Sequence, residues 1–366
     1  MKKIITVVLL VCIMASMFTI SAFAYSDYSA LQAAISSASD GATITLTGPI
    51  DAGSSTLVID NPITLDGAGF TLESDATRAI NVNTNGNVTI KNLKIEAKGE
   101  RAINVIQKPV ALTIEKVTAS SDNYTVNLAA SAVGCNVTII GGEFTGRNTL
   151  NIAAPNSATT VNGNAKFITN DSVDEDYHTV CLNKDSGGAS LNLQSATLTY
   201  NKNDGKSNTP NTLSYINGTS VNYSGASMNG SVEKVVAFIP RGDYYFSATS
   251  LAGAASNPKI KSGDSIVLLQ DIDLDYTAVE IPDGVTIDAN GHEIINGDVI
   301  GKNGQDVTVD NWGGTPEALA ALKDGIVPKR PVPVPATADN SNMPLWGALF
   351  IAFAAVALLT GKKRRA

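Results

Sequence analysis

The sequence predicts an all-β fold, a parallel β-helix solenoid in which each short strand stacks on its counterpart one turn later. Apolar–polar–apolar triplets return at a step of 23 residues, from Ile80 to Ile103 and from there to Val126. Asn, Gly, Ser and Asp separate the triplets, which is typical of short strands joined by tight turns. A β-sandwich also has short strands at regular spacing, but it does not require the same triplet at a fixed step.

Two series of triplets alternate along the chain, and a third, weaker series brings each period to about three strands. The first series begins at Leu57, Ile80, Ile103, Val126, Leu150, Val180 and Leu213. The second series begins at Ile63, Val88, Leu112, Val137 and Leu191. Because one coil cannot bury its apolar side chains alone, the coils are expected to stack into aliphatic ladders.

The amino-acid composition and net charge argue against several classes of protein. Charged residues make up 16% of the 366 residues, below the roughly 25% of average soluble domains, which argues against a helical bundle or coiled coil. Three cysteines exclude a disulfide scaffold and a Cys-rich zinc module, and two histidines exclude a three-histidine metal site within one chain. The net charge of −8 argues against a nucleic-acid partner.

The first 24 residues are predicted to be a signal peptide. Lys2 and Lys3 precede an apolar run, and Ala22 and Ala24 place small residues at the cleavage positions. A short capping helix is predicted next, because Ser29 and Gln32 have the spacing of a capping box. Its apolar residues would cover the exposed end of the solenoid.

The solenoid is divided by an internal repeat. Residues 40–72 align without a gap on 262–294, an offset of 222. We therefore predict a β-helix domain over 25–231 and a second, shorter β-helix-like unit over 232–314 that begins with a copy of the first coil. A short helix and a Pro-rich linker follow over 315–342.

The C-terminal end has the pattern of a membrane anchor. Residues 343–361 form an uncharged, mostly apolar segment long enough for a transmembrane helix, and the basic tail 362–366 places the C-terminus in the cytoplasm. The body is then expected on the extracellular face of the cell envelope. The two ends contain six of the 26 basic residues and none of the 34 acidic ones. The body therefore has 20 basic and 34 acidic residues, a net charge of −14.

The order of linker, pentapeptide, apolar span and basic tail resembles the cell-wall sorting signal of Gram-positive surface proteins. The family pattern is Leu-Pro-x-Thr-Gly, which sortase cuts between Thr and Gly. The pentapeptide here consists of Val334, Pro335, Ala336, Thr337 and Ala338. Because Val334 and Ala338 depart from the pattern, two outcomes stay open: sortase attaches the chain to the wall, or the apolar span keeps it in the membrane.

The triplet pattern resembles the right-handed, pectate-lyase-like β-helix superfamily, and the resemblance implies a right-handed solenoid. Many members cut acidic polysaccharides: lyases use Ca²⁺-binding carboxylates with an Arg or Lys base, and hydrolases use several Asp with His-Gly and Arg-x-Lys motifs. Neither set is complete here. The second unit also resembles the starter coils of repeat-built Gram-positive surface proteins, in Gly263 to Leu268 and Gly284 to His292.

An acidic segment provides the nearest candidates for chemistry. Asp171, Asp174 and Asp176 are acid–base candidates with His178, and Asp174, Glu175 and Asp176 are candidate Ca²⁺ ligands. The alternative is a solvated acidic loop, because consecutive acids on a loop cannot all face one ion. No other cofactor is predicted.

A polar strip provides candidates for ligand binding. Asn81, Asn104 and Asn127 occupy the centres of successive triplets, so they are expected on the outer face of one sheet. Arg78, Arg101 and Tyr124 recur at the same step beside them. Such a strip can bind a glycan, or its amides can simply hydrogen-bond to one another.

Two functions are therefore carried forward. The first is a display or adhesin-like module that contacts extracellular glycan or a host or cell-wall surface. The second is a carbohydrate-active enzyme, a polysaccharide lyase or glycoside hydrolase, acting outside the cell.

Overall fold

The computed structural model describes residues 25, 27–107, 109–171, 178–202, 211–242 and 244–324. These residues form a right-handed parallel β-solenoid of about 11 turns with few, short helices, so the predicted all-β solenoid is confirmed. The predicted signal peptide, the sorting-like pentapeptide and the apolar span 343–361 lie outside the described residues. Within these ranges, no helix has the length and apolarity needed to cross a membrane.

Three parallel sheets of eight strands form the walls of the first unit. Sheet A contains Thr43–Thr45, Thr64–Asp66, Asn87–Lys91, Ala111–Glu115, Asn136–Ile140, Ala158–Asn162, Ser190–Leu193 and Ser220–Asn222. Sheet B contains Ile50–Asp51, Thr71–Ser74, Lys94–Ala97, Thr118–Ser120, Glu143–Gly146, Ala165–Asp171, Ala196–Lys202 and Ala226–Met228. Sheet C contains Leu57–Ile59, Arg78–Val82, Arg101–Val105, Tyr124–Leu128, Asn148–Ile152, Val180–Leu182, Asn211–Ile216 and Ser231–Val235.

The triplets stack in register, as the repeat predicts. Ile80 pairs with Ile103, which pairs with Val126 in the next coil, and all three are fully buried. Side chains alternate across a strand, so the outer residues of each triplet enter the core while the central one faces away from it. On sheet B the ladder includes Phe144 and Phe167, whose stacked rings lie 5.2 Å apart.

Helix α1, Tyr28–Ser37, covers the N-terminal end of the core, but its predicted N-cap was wrong. Asp27 is the N-cap, and its carboxylate accepts hydrogen bonds from the backbone N–H groups of Ser29 and Ala30. Gln32 is therefore free to bind elsewhere: its amide exchanges two hydrogen bonds, of 2.8 and 2.9 Å, with the backbone of Val58. The side chain thus satisfies an edge strand that would otherwise be open.

The second unit has two smaller sheets and a separate hydrophobic cluster, which begins at Val236 and ends at Leu322. Helix α2 covers Leu251–Ala255, a 3₁₀ turn covers Lys302–Gly304, and helix α3 covers Pro316–Leu322. Sheet D has the spatial order Tyr244–Ala248, Ala237–Arg241, Ser265–Leu268, Thr286–Asp288 and Val309–Asp310, and sheet E pairs Ile272–Ile281 with Ile294–Gly301. In sheet D, Ala237–Arg241 pairs antiparallel with both Tyr244–Ala248 and Ser265–Leu268, whereas the later strands of sheets D and E pair in parallel.

The internal repeat at an offset of 222 also appears in hydrogen bonds from the backbone to Asp side chains. Asp66 accepts from the N–H of Ala68 at 3.0 Å, and Asp288 accepts from the N–H of Asn290 at 2.9 Å. Ala68 and Asn290 both have a positive φ, near 50°. The two aligned segments therefore turn the chain in the same way, with an Asp side chain stabilising the left-handed residue.

The last coil of the first unit is less covered than the coils before it. Leu191 and Leu198 are buried, whereas their register partners Val221 and Met228 are only partly buried. A terminal coil lacks a neighbour on one side, so its inward side chains keep contact with solvent.

The stacked phenylalanines generate a stability prediction. Phe144→Ala should lower the free energy of unfolding of the first unit by about 3–5 kcal/mol, because it leaves a cavity against Phe167. The control is Tyr223→Ala, where an exposed ring is removed at a cost under about 0.5 kcal/mol. Urea titrations followed by circular dichroism measure both, and equal losses for the two variants would contradict the stacked ladder.

Candidate functional site

The outer face of sheet C carries the asparagines of the predicted polar strip. Asn81, Asn104, Asn127 and Asn151 occupy one register position of successive strands. From Asn104 onward, each Nδ2 donates to the Oδ1 of the preceding coil, at 2.9 Å from Asn104 to Asn81, then at 2.7 Å for the next two pairs. We call these four residues the asparagine column.

The two middle members of the asparagine column are buried as well as hydrogen-bonded. Asn104 and Asn127 are 1% and 5% exposed. Each of these two amides uses its Oδ1 and one N–H on its neighbours, and buried amides without such partners are costly. The column therefore stabilises sheet C, while its contact with a glycan stays a prediction.

Arg78, Arg101 and Tyr124 form a second column beside the amides. The three residues are in register, and the Arg101 guanidinium lies over the Tyr124 ring, 5.5 Å from its centre. This is the geometry of a cation–π contact. Partial burial, together with the charge of Arg78, lowers the pKa of Arg101, and burial raises the pKa of Tyr124. Arg101 also forms an ion pair with Glu100, at 3.5 Å.

The acidic candidates are only partly described. Asp171 is the last residue of its strand in sheet B, and Asp174, Glu175 and Asp176 lie outside the described residues. The Ca²⁺ and acid–base hypotheses for this segment therefore stay predictions. In the described ranges, no three His, Cys, Asp or Glu side chains are grouped so that they could hold a metal ion.

His178 is described and lies on the sheet C side of this segment. It is 4% exposed, its backbone N–H donates to Asn148 Oδ1 at 2.9 Å, and its Nε2 lies 3.4 Å from Glu233 Oε2. Glu233 belongs to the last strand of sheet C. The sequence grouped this histidine with the acids next to it, but its described carboxylate partner is 55 residues away.

A small, partly open cavity lies between sheet C and the hairpin of sheet D. It has a volume of about 40 Å³ and is lined by residues that include Tyr124, Asn151, His178, Cys181 and Tyr245. That volume has room for about two or three water molecules, whereas sites for drug-sized ligands measure about 300 Å³ or more. The cavity is therefore a junction between the two units and is too small to hold a sugar ring.

Cys181 and Tyr245 join the two units across this cavity and were not predicted. The Cys181 Sγ lies 3.8 Å from the Tyr245 hydroxyl, and burial raises the pKa of the thiol. Cys181 pairs in register with Asn151, so the triplet pattern already placed it on this face. Tyr245 belongs to an antiparallel hairpin outside the repeat, and no signal in the sequence placed it there.

No protein-family model, no curated protein and no solved structure matches this chain. The pectate-lyase-like superfamily therefore stays a prediction from the triplet pattern. Function has to be argued from the surfaces of the solenoid.

The asparagine column generates a second stability prediction. Asn127→Ala should cost about 2–3 kcal/mol, because Asn104 Oδ1 and Asn151 Nδ2 both lose a buried partner. Asn81→Ala is the matched control at the end of the column, where one hydrogen bond between coils is lost instead of two and about 1 kcal/mol is expected. Urea midpoints of the two variants test the difference, and equal costs would mean that the ladder does not contribute to stability.

Proposed function

We propose that this chain is a display or adhesin-like module on the extracellular face of a bacterial cell, where its solenoid contacts glycan. The observation that carries the proposal is the register of sheets A, B and C. On sheets A and C, the register places threonines or asparagines on coil after coil, about 4.8 Å apart. A surface with such a repeat suits a ligand that is itself a repeating polymer.

The geometry of sheet C favours binding over catalysis. The side chain of His178 is buried against Glu233, and Arg101 is stacked on Tyr124. The cavity beside them is too small for a sugar. A general acid or base must reach the glycosidic oxygen or a ring proton, and His178 is not placed to do so. The enzyme alternative rests on Asp171, Asp174 and Asp176, and it is an outcome of the test below.

The location rests on the two ends of the chain. A signal peptide exports the body, the apolar span 343–361 holds it in the membrane, and the basic tail keeps the C-terminus inside. Because Ala338 replaces the glycine of the sorting pattern, we propose that the membrane is the main anchor and that sortase acts poorly on this chain.

A glycan array combined with a product assay tests the function. The full chain in mild detergent should bind one or more bacterial or host glycans and release no new reducing ends or unsaturated uronates. Release of either product, lost in Asp174→Asn or Asp176→Asn, would establish the enzyme instead. Absence of both binding and cleavage would contradict both functions.

Cell fractionation tests the anchor. In a Gram-positive host with a sortase, the chain should be found in the membrane fraction, and Ala338→Gly should move part of it to the fraction released by digesting the wall. Adding Thr337→Ala to that variant should return it to the membrane. Wall attachment of the unchanged chain would show that the departures from the pattern do not matter.

A further inference from the structure

The outer face of sheet A carries a hydroxyl column that the proposed function does not yet use. Six threonines occupy one register position of its first six strands. They are Thr43, Thr64, Thr89, Thr113, Thr138 and Thr160, and Asn192 and Asn222 continue the position to the last coil. We call the six residues the threonine column.

The threonine column differs from the asparagine column in exposure and in bonding. All six threonines are partly exposed. In the described ranges none of their hydroxyls has a hydrogen-bond partner within the chain, whereas the amides of Asn104 and Asn127 bind one another. A hydroxyl can donate one hydrogen bond and accept two. The column therefore offers unused donors and acceptors at every coil.

The neighbouring position of sheet A is also uncharged. Two residues before this register position, from the third strand to the last, the strands carry short side chains in register: Asn87, Ala111, Asn136, Ala158, Ser190 and Ser220. Charged residues of sheet A stand only on the other border, where Lys91 forms an ion pair with Asp66 at 3.3 Å and Glu115 follows. A strip two residues wide and without charge thus runs along the face.

The charge of the strip and of the body indicates what can bind there. The part of the chain predicted to be exported carries a net charge of −14, which disfavours the approach of an anionic polymer. A neutral polymer meets no such barrier, and the strip presents no ionic group that would have to be desolvated against it. Hydroxyls repeated about every 4.8 Å require partners that repeat as well.

We propose that the threonine column binds a neutral, extended polysaccharide lying along the solenoid axis, with the threonine hydroxyls hydrogen-bonded to successive sugar hydroxyls. Two coils span about 10 Å, a length similar to that of two pyranose rings in an extended chain. The inference rests on the proposed glycan-binding function and gives that function a face and a ligand class.

The experiment uses the full chain in mild detergent with three insoluble probes: cellulose and chitin as neutral polysaccharides, and a polygalacturonate gel as an anionic one. The test variant combines Thr89→Val, Thr113→Val and Thr138→Val, which keeps the β-branched shape and removes three hydroxyls. The control combines Thr118→Val, Thr145→Val and Thr197→Val on the outer face of sheet B. A third variant, with serine at the three test positions, keeps the hydroxyls.

The unchanged chain, the control and the serine variant should bind cellulose or chitin. The valine variant should lose at least about tenfold in affinity, as three hydrogen bonds are removed. Equal urea midpoints show that the variants are folded. Neutral binding unchanged by valine, or binding to polygalacturonate alone, would overturn the inference and leave glycan binding in place. Absence of binding to all three probes would overturn the inference, and an empty glycan array would then overturn the proposed function as well.

Discussion

Backbone hydrogen bonds between successive coils hold each residue over its counterpart in parallel register, and the other features of the molecule depend on that alignment. Ile80, Ile103 and Val126 form a continuous inner ladder because their strands pair without a shift. The same pairing places amides over amides on sheet C and hydroxyls over hydroxyls on sheet A. A slip of one residue would turn every inner side chain outward, so burial and surface pattern are set together.

The asparagine column and the threonine column follow the same register but differ in their hydrogen bonding. An asparagine side chain has both a donor and an acceptor and is long enough to reach the next coil, so the column on sheet C is closed on itself. A threonine hydroxyl is one bond shorter, and on sheet A none reaches a partner in the adjacent coil among the described residues. The first column stiffens the wall, whereas the second is left for solvent or ligand.

The repeat made much of this fold predictable, and the misses have physical causes. The triplet spacing predicted the stacked strands, and the internal repeat at an offset of 222 predicted that the second unit begins with a copy of the first coil. The predicted N-cap of helix α1 was wrong because the Asp27 carboxylate, two residues earlier, accepts hydrogen bonds from the first backbone N–H groups of the helix. Gln32 instead hydrogen-bonds to the backbone of Val58, a contact that the local sequence pattern does not contain. Alternation indicated the face of Asn104 but not its burial. The contact of Cys181 with Tyr245 joins residues 64 apart in sequence, and it does not follow the repeat, so the triplet pattern could not predict it.

The helices that precede the two first coils have a consequence for how the chain reaches its structure. Helices α1 and α2 each precede a coil with an Asp-stabilised turn, at Asp51 in the first unit and at Asp273 in the second, so we expect folding to have two separate starting points. From either start, each new coil docks on the one just completed, and the loop to be closed stays near one repeat in length. Such propagation keeps the entropic barrier nearly constant as the solenoid grows. We therefore expect a longer version of this molecule to fold in more steps, each with a similar entropic barrier.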